Sequence, residues 1–380
     1  MIKRTLQELC LNITDGKHGD CENEENSGYY FISCKDIFDG QINYKNARQI
    51  TKADFEETHK RTMLEVDDIL LTNSGTIGRM AFVTDREATT KTTFQKSVAI
   101  IKPDKQKVLP RYLYYQLQNC VPQFINSSNG SAQKNLLLST MRTFQIEIEE
   151  NREKQEKIAN TLSAYDDLIE NNQKQIKLLE EAAQRLYKEW FVDLRFPGHE
   201  NTKIVDGVPE GWSRTNINGI LTFHRGYDLT KNEMKAGRYP VVGSTTVIGY
   251  HNEFKIKGPG IVTGRSGSLG KYQFIWDNFW PHNTSLYLSD YKDHNIFFVY
   301  SLLQTVDLAS LNNGGAIPTL NRNVLSNIEV IEPEKKLQDV FAKIAEPQYQ
   351  KIRNLEKQND RLKTARDLLL PKLMSGEVEV

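Results

Sequence analysis

A regular apolar pattern between Asn151 and Gly198 limits what this chain can fold into more than any other feature. From Ile158 onward, apolar residues recur at steps of four and three for roughly four heptads. This period favours the narrow seam of a coiled coil over the broader apolar stripe of a globular helix. Asn151 is a suitable N-cap, and Pro197 with Gly198 is expected to end the helix. The predicted seam consists of Ile158, Leu162, Tyr165, Ile169, Ile176, Leu179, Ala183, Leu186 and Trp190, with the polar Asn172 among them.

A second stretch with a helical period follows residue 334. Pro347 interrupts it and lacks a backbone donor, so the pattern predicts a break near Glu346 and a long helix after it. A polar residue in an apolar seam costs stability but disfavours other registers and oligomeric states, which is how we interpret Asn172 and Asn359. The predicted seam of this stretch consists of Ile352, Leu355, Leu362 and Leu369, with Asn359 among them.

The two halves of the chain repeat each other. The segment 69–79 aligns with 261–271, and Gln155 aligns with Gln338 at the head of each helical stretch. The expected order is therefore a globular domain, a helix, a second globular domain and a second helix. Two helices of such a repeat can pair antiparallel about a pseudo-twofold axis, which would place the globular domains at opposite ends. The predicted boundaries are 1–150, 151–198, 199–334 and 335–380.

Short β-rich runs bounded by turn residues occupy both globular domains. Leu109–Asn119 and Ile296–Leu303 are predicted helices, and the polar residues 122–135 are a predicted loop. Ser74–Arg79 predicts a turn between two strands with glycines at positive φ. The fold class is α+β, with two repeated α/β domains separated by two long antiparallel coiled-coil helices. The predicted strands are 29–32, 68–72, 97–101, 239–243, 260–263 and 285–288.

Composition excludes several classes of protein. The chain has 49 basic and 49 acidic residues, and this zero net charge counts against a non-specific DNA binder. Its four cysteines form no CxxC pair, so reduced thiols in a cytoplasmic protein are expected. The longest apolar run, around residues 296–303, is too short to cross a bilayer, so no membrane partner is expected.

Motifs of catalysis are missing from the sequence. It has neither the Asn-Pro-Pro-Tyr nor the Asp-Pro-Pro-Tyr tetrapeptide of amino-methyltransferases, and no helicase P-loop or convincing nuclease cluster. His18, His224 and His282 are scattered along the sequence, and none of them has metal-ligand spacing to another histidine. Together these absences argue against catalysis and against a metal site.

Polar loops near the start and end of each domain are candidates for nucleic-acid contacts. Asparagine, glutamine, arginine, lysine and histidine are the side chains that bind base edges. An ordinary surface turn is the alternative for any one of them, and a lone histidine is more often a hydrogen-bonded structural residue. The candidate DNA-binding residues are Lys17, His18, Asn73, Ser74, Arg79, Gln133, Lys134, Arg225, Arg265, Ser266, Lys271, His282, Asn321 and Arg322.

Several longer strings resemble the specificity subunit of type I restriction-modification systems. They are Tyr165–Asn172, Lys188–Asp193 and Leu369–Glu377, together with Gly237–Gly243 and Trp280–Thr284 in the second domain. The resemblance extends over essentially the whole chain and is looser in the first domain. It implies two target-recognition domains, each of which binds one half of a bipartite double-stranded DNA target, and helices whose length sets the spacer.

The same resemblance implies partners. The two helices would bind two adenine methyltransferase subunits, and motor-nuclease subunits would join that complex. S-adenosylmethionine, ATP and magnesium would be bound by those partners, so this chain would hold no cofactor and would not be an enzyme. The helix–helix and methyltransferase interface would use the two seams described above, including Asn172 and Asn359.

Two other functions stay open from the sequence. The chain could be a structural adaptor or decoy that binds methyltransferase subunits without recognising DNA. It could also be an autonomous enzyme, which would require methyl transfer or cleavage by the isolated chain.

Overall fold

The chain divides into two units, and the second unit is inserted into the sequence of the first. A computed structural model describes residues 1–84, 87–128, 134–265, 271–307 and 320–380. Unit 1 contains Met1–Glu170 together with Asn359–Val380, and unit 2 contains Asn171–Gln358. Unit 1 is therefore built from two separate stretches of sequence.

Unit 1 is organised around a four-stranded antiparallel sheet with the order β2-β10-β7-β8. A smaller sheet places β3 between the antiparallel β6 and the parallel β9, and β1 pairs with β11. The three strands predicted in the first domain are confirmed as β3, β7 and β10. The strands are β1 (Ile2–Thr5), β2 (Cys10–Asp15), β3 (Tyr30–Ile32), β4 (Ile37–Phe38), β5 (Gln41–Ile42), β6 (Arg48–Gln49), β7 (Ile69–Thr72), β8 (Met80–Phe82), β9 (Thr92–Phe94), β10 (Val98–Pro103) and β11 (Gln145–Ile148).

The described residues of unit 1 form four short helices, α1 (Lys52–Thr62), α2 (Pro110–Asn119), α3 (Val121–Asn126) and α4 (Leu138–Thr143). The predicted helix at 109–119 is confirmed as α2. The loop predicted for 122–135 is wrong over α3, because Phe124 is buried and packs on Phe144 at 4.5 Å between ring centroids. A polar sequence with one well-placed aromatic residue has formed a helix through packing.

The first long helix is α5 (Arg152–Tyr187), which continues as a π-helical turn over Lys188–Val192. The Asn151 cap is confirmed, since its Oδ1 accepts hydrogen bonds from the backbone N–H groups of Glu153 and Lys154 at 2.9 and 3.2 Å. The helix ends before the predicted Pro197–Gly198 stop. Leu194 has a φ of 56°, a left-handed conformation that turns the chain away from the helix.

Unit 2 repeats the strand pairing of unit 1. The four-stranded sheet has the order β15-β21-β18-β19, β16 lies between the antiparallel β17 and the parallel β20, and β14 pairs with β22. The internal duplication and the α+β class are confirmed, as are the three strands predicted here. The strands are β12 (Ile204–Val205), β13 (Val208–Pro209), β14 (Ser213–Asn216), β15 (Thr222–Arg225), β16 (Tyr239–Val242), β17 (Val247–His251), β18 (Gly260–Gly264), β19 (Tyr272–Ile275), β20 (Trp280–Pro281), β21 (Ser285–Asp290) and β22 (Glu329–Glu332).

The helices that begin in unit 2 are α6 (Ile217–Ile220), α7 (Ile296–Leu303), α8 (Arg322–Ser326) and α9 (Lys335–Ser375). The predicted helix at 296–303 is confirmed as α7, whereas the break predicted near Glu346 is wrong. Helix α9 continues through Pro347, which is exposed like Lys343, so water can bind the carbonyl that has lost its donor. Ala345 and Tyr349 are buried on either side of the proline, and this packing stabilises the helix.

Helices α5 and α9 run antiparallel within each unit. In unit 1, Arg366 pairs with Asp166, and the Lys157 ammonium donates to the backbone O of Val380 at 3.4 Å. In unit 2, the Asn172 amide donates to the Gln358 Oε1 at 3.2 Å. The predicted seam residues are all buried or half-buried, and Asn172 and Asn359 are only 2% and 7% exposed.

The two aligned glutamines have the same structural role. Gln155 is buried in unit 1, where its side chain accepts from the Leu109 N–H at 2.8 Å and donates to the Glu149 carbonyl at 2.6 Å. Gln338 is buried in unit 2, where it donates to the Pro333 carbonyl at 2.8 Å and bonds His294 at 2.9 Å. Each glutamine thus joins the first turn of a long helix to the loops of its unit.

Candidate nucleic-acid interface

One edge of the four-stranded sheet collects the candidate residues of unit 1. Because the strands alternate in direction, β2 and β7 end at the edge where β10 and β8 begin. Lys17 and His18 follow β2, Asn73 and Ser74 follow β7, and Arg79 precedes β8. Lys134 also lies at this edge, since the next residue along the chain forms a β-bridge with Ser74. Gln133 lies outside the described residues.

The candidate residues of unit 2 lie at the equivalent edge of its four-stranded sheet. Arg225 ends β15, Arg265 follows β18 and Lys271 precedes β19. His282 precedes β21. The candidates Asn321 and Arg322 come directly after Leu320, whose N–H donates to the Arg265 carbonyl at 2.8 Å. Ser266 lies outside the described residues.

A closely packed glycine fixes the loop at each edge. A Cβ at Gly16 would overlap the backbone carbonyl of Phe94, and one at Gly226 would overlap that of His282. The next residue donates its N–H to the neighbouring strand in both units, Lys17 to Phe94 at 2.8 Å and Tyr227 to Pro281 at 2.8 Å. The loops after β2 and β15 are therefore the same structural element.

Ion pairs hold Lys17 in unit 1. Its ammonium lies 2.9 Å from the Asp54 carboxylate and 3.2 Å from that of Glu57, both on α1. The hydrogen bond to Asp54 raises the pKa of Lys17, and the same bond lowers the pKa of the Asp54 carboxyl. The charge of Lys17 is thus largely balanced by α1.

Removing the Asp54 charge is expected to release Lys17 toward a polyanion. An Asp54→Asn variant should steepen the dependence of log DNA affinity on log salt concentration by about one, the effect of one additional phosphate contact. Titration of the intact complex with duplex DNA at several salt concentrations measures that slope. Glu56→Gln, which removes one charge from the same helix, is the matched control. An equal slope in both variants, or a gain that survives Lys17→Ala, would contradict the release of Lys17.

Acidic residues organise the other loop side chains. In unit 1, the buried Asp15 bonds the His18 ring at 2.9 Å and also pairs with Arg61. In unit 2, the exposed Asp228 pairs with Arg225 at 3.2 Å and accepts a hydrogen bond from the Asn283 amide. These bonds position the basic groups along the sheet edge.

Other candidate side chains make bonds inside the chain. Both ring nitrogens of His282 are bonded within the chain, at 3.0 Å to Thr284 Oγ1 and at 3.2 Å to the Leu229 carbonyl. Asn321 caps α8 by accepting from the Asn323 N–H at 2.9 Å. The guanidinium of Arg79 donates to the Cys34 carbonyl at 3.4 Å. Lys134, Lys271 and Arg322 have exposed side chains.

Sequence reasoning missed Asp15, Arg61, Asp228 and Asn283, which hold the candidate residues in place. A basic residue is predicted as a DNA contact because its charge is opposite to that of phosphate, whereas its acidic partner has the same sign of charge as DNA and is not. Asp15 and Asp228 could have been found from the sequence, because they lie within three residues of Lys17, His18 or Arg225. Arg61 is 46 residues from Asp15 in sequence, and only the fold brings the two together.

Two other kinds of feature are absent from the described residues. No group of three or more histidine, cysteine, aspartate or glutamate side chains there is placed to hold a metal ion. Across the same residues, no helix is both long enough and apolar enough to span a membrane.

Known proteins share both the sequence and the fold. The family model described as the type I restriction modification DNA specificity domain matches residues 3–181 and 209–364. The chain is 28% identical to the type I restriction enzyme MjaIX specificity subunit of Methanocaldococcus jannaschii, over 92% of this chain and 87% of that protein. It is 23% identical to the HindI specificity subunit of Haemophilus influenzae, over 73% and 80% of the two chains.

A solved structure agrees with this match at the level of the fold. The crystal structure of the type I restriction-modification S subunit from M. genitalium superimposes with a TM-score of 0.58 at 20% identity, covering 98% of this chain and 95% of the other. The family model alone covers most of both units. This chain belongs to the type I restriction modification DNA specificity family.

Proposed function

We propose that the chain is the sequence-specific DNA-binding subunit of a type I restriction-modification complex, in which each unit binds one half of a bipartite target. The observation that carries this proposal is the duplicated sheet edge, where one backbone arrangement presents different polar side chains in the two units. Lys17 and Tyr227, for example, occupy the same place. Equal scaffolds with unequal side chains are what recognition of two different half-sites requires.

Helices α5 and α9 would bind two adenine methyltransferase subunits and, through them, motor-nuclease subunits. The seam residues are covered by the chain itself, so contact with a partner falls to the outer faces of the helices. Leu178 in unit 2 is 64% exposed and Leu368 in unit 1 is 65% exposed, which supports such a surface on both. Phosphate contacts made by the partners would offset the neutral charge of this chain.

In this proposal, the partner subunits carry out methyl transfer and DNA cleavage. S-adenosylmethionine, ATP and magnesium would be bound by the methyltransferase and motor-nuclease subunits, and this chain would not be catalytic. The sequence supports this division because it lacks the methyltransferase and helicase motifs. Methyl transfer or cleavage by the isolated chain would contradict it.

Single-molecule mapping of adenine methylation tests the function directly. Cells that express the chain with its methyltransferase subunit should acquire methylation at a split motif, with two short specified halves and a fixed gap. Replacing residues 209–334 by the corresponding segment of a relative should change one half of the motif and leave the other half unchanged. A complex that assembles but adds no methylated motif would favour an adaptor that does not recognise DNA.

A further inference from the structure

Asn73 in unit 1 and Arg265 in unit 2 occupy the same structural position. The Asn73 N–H donates to the Ser97 carbonyl at 3.1 Å, and the Arg265 N–H donates to the equivalent Thr284 carbonyl at 2.8 Å. The Asn73 carbonyl accepts from Leu136, and the Arg265 carbonyl accepts from Leu320, both at 2.8 Å. With both peptide groups bonded in the same way, the two side chains leave the sheet edge from the same point.

The two side chains differ in what they present at that point. Asn73 is 4% exposed, and its buried Oδ1 accepts no hydrogen bond from any residue that the structure describes. Arg265 is partly exposed, and its guanidinium Nη1 donates a hydrogen bond to the Asn283 carbonyl at 3.4 Å. Only unit 2 therefore offers an accessible, well-anchored polar group at this position.

Arg265 lies between two other cations of the same edge. It follows β18, an inner strand of the sheet, while Arg225 ends the outer strand β15 and Lys271 precedes the other outer strand, β19. Three strand spacings of about 4.8 Å separate β15 from β19, a span of roughly 14 Å. This span is comparable to the major groove of B-DNA, which is about 12 Å wide. The spacing of Arg225 and Lys271 thus matches the phosphates that flank a major groove, with Arg265 between them on the sheet.

We propose that Arg265 recognises a guanine in the half-site bound by unit 2, and that Arg225 and Lys271 bind phosphates on either side. The proposal rests on the DNA-binding function proposed above. An arginine guanidinium donates two parallel hydrogen bonds to the O6 and N7 atoms of guanine, a pattern that no other base edge accepts in the major groove. A rigid backbone at its base favours such a contact, because the geometry is fixed before binding.

Methylation mapping and competition binding with the assembled complex test this assignment. Arg265→Ala and Arg265→Lys should leave the half of the motif bound by unit 1 unchanged and relax one guanine position in the other half. In competition with duplexes changed at that base pair, discrimination should fall about 5- to 140-fold for Arg265→Ala. Lys271→Ala should instead weaken binding to all sequences alike and reduce the salt slope by about one.

Two results would overturn the assignment. One is a unit 2 half-site, defined by replacing residues 209–334, that contains no G·C base pair. The other is an Arg265→Ala complex that retains full discrimination at every position. Loss of the unit 1 half-site in that variant would show misfolding, and Arg265→Lys, which keeps the charge and most of the packing, then decides the question. Absence of any split motif with the unaltered chain would refute the proposed function instead.

Discussion

An Arg366→Ala variant is expected to lower the free energy of unfolding of unit 1 by about 1–3 kcal/mol. Arg366 pairs with Asp166 across the two long helices, and the side chains are only 22% and 23% exposed. The Tyr115 hydroxyl donates to the other oxygen of Asp166 at 2.6 Å. Burial, together with the charge of Asp166, raises the pKa of Tyr115, so this hydroxyl remains a donor. Removing the Arg366 guanidinium leaves the partly buried Asp166 carboxylate without its counter-charge.

The tryptophans make this experiment specific to one unit. All four lie in unit 2, at positions 190, 212, 276 and 280. Denaturant unfolding should therefore show an early transition by circular dichroism and a little-changed transition by tryptophan fluorescence. The exposed Arg361 on the same helix gives the control, Arg361→Ala, with an expected change within about 0.5 kcal/mol.

A second substitution separates the loss of the ion pair from simple loss of packing. Adding Asp166→Asn to Arg366→Ala removes the isolated charge and should restore part of the lost stability. If Arg366→Ala alone lowered the free energy of unfolding by less than about 1 kcal/mol, the pair would be no more than an ordinary surface ion pair.

Gly16→Ala is expected to abolish recognition of the half-site bound by unit 1. The new Cβ would overlap the Phe94 carbonyl, a backbone atom of β9 that cannot move without disturbing the sheet. Overpacking of this kind destabilises by about 1–3 kcal/mol, and sometimes more. The loop that carries Lys17 and His18 would have to leave its place. Methylation mapping with the complex should then show the motif specified in one half only.

The same loop provides the control for this substitution. Gly19→Ala adds the same methyl group only three residues away, where the nearest atom is the flexible Lys17 Cε at 3.8 Å. It should leave both halves of the motif unchanged. Gly226→Ala, the equivalent change in unit 2, should remove the opposite half. A Gly16→Ala complex that keeps both halves would show that the loop can relax without consequence.

Local patterns predicted most of the scaffold, because the relevant signals lie close together in sequence. Short β-rich runs bounded by turn residues predicted the central strands. The turn at 74–79 has the predicted glycine conformations, with φ of 78° at Gly75 and 94° at Gly78. Its repeat at 266–270 lies outside the described residues. The periodic apolar residues predicted both long helices, because these residues form seams that are buried by packing within each unit.

Contacts between distant residues set the limit of such prediction. Lys17 is a candidate DNA contact by its type and loop, but Asp54, which binds it, is 37 residues away. Helix α1 carries that aspartate and buries only Phe55, Thr58 and Thr62, so its apolar pattern is weak. Pro347 predicted a helix break because local propensity was weighed without the packing of Ala345 and Tyr349. In each case a tertiary contact decided the outcome.

The interleaved composition of the two units has a consequence for biosynthesis. Unit 1 needs Leu373 and Met374 in its core, although most of its chain precedes residue 171. Unit 2 uses only residues 171–358, so it is complete on the ribosome while unit 1 still awaits its last helical turns. We therefore expect the usual order, in which the amino-terminal domain folds first, to be reversed for this chain. A nascent chain stalled after residue 358 is expected to expose the apolar surface of unit 1 that Leu373 and Met374 cover in the folded protein.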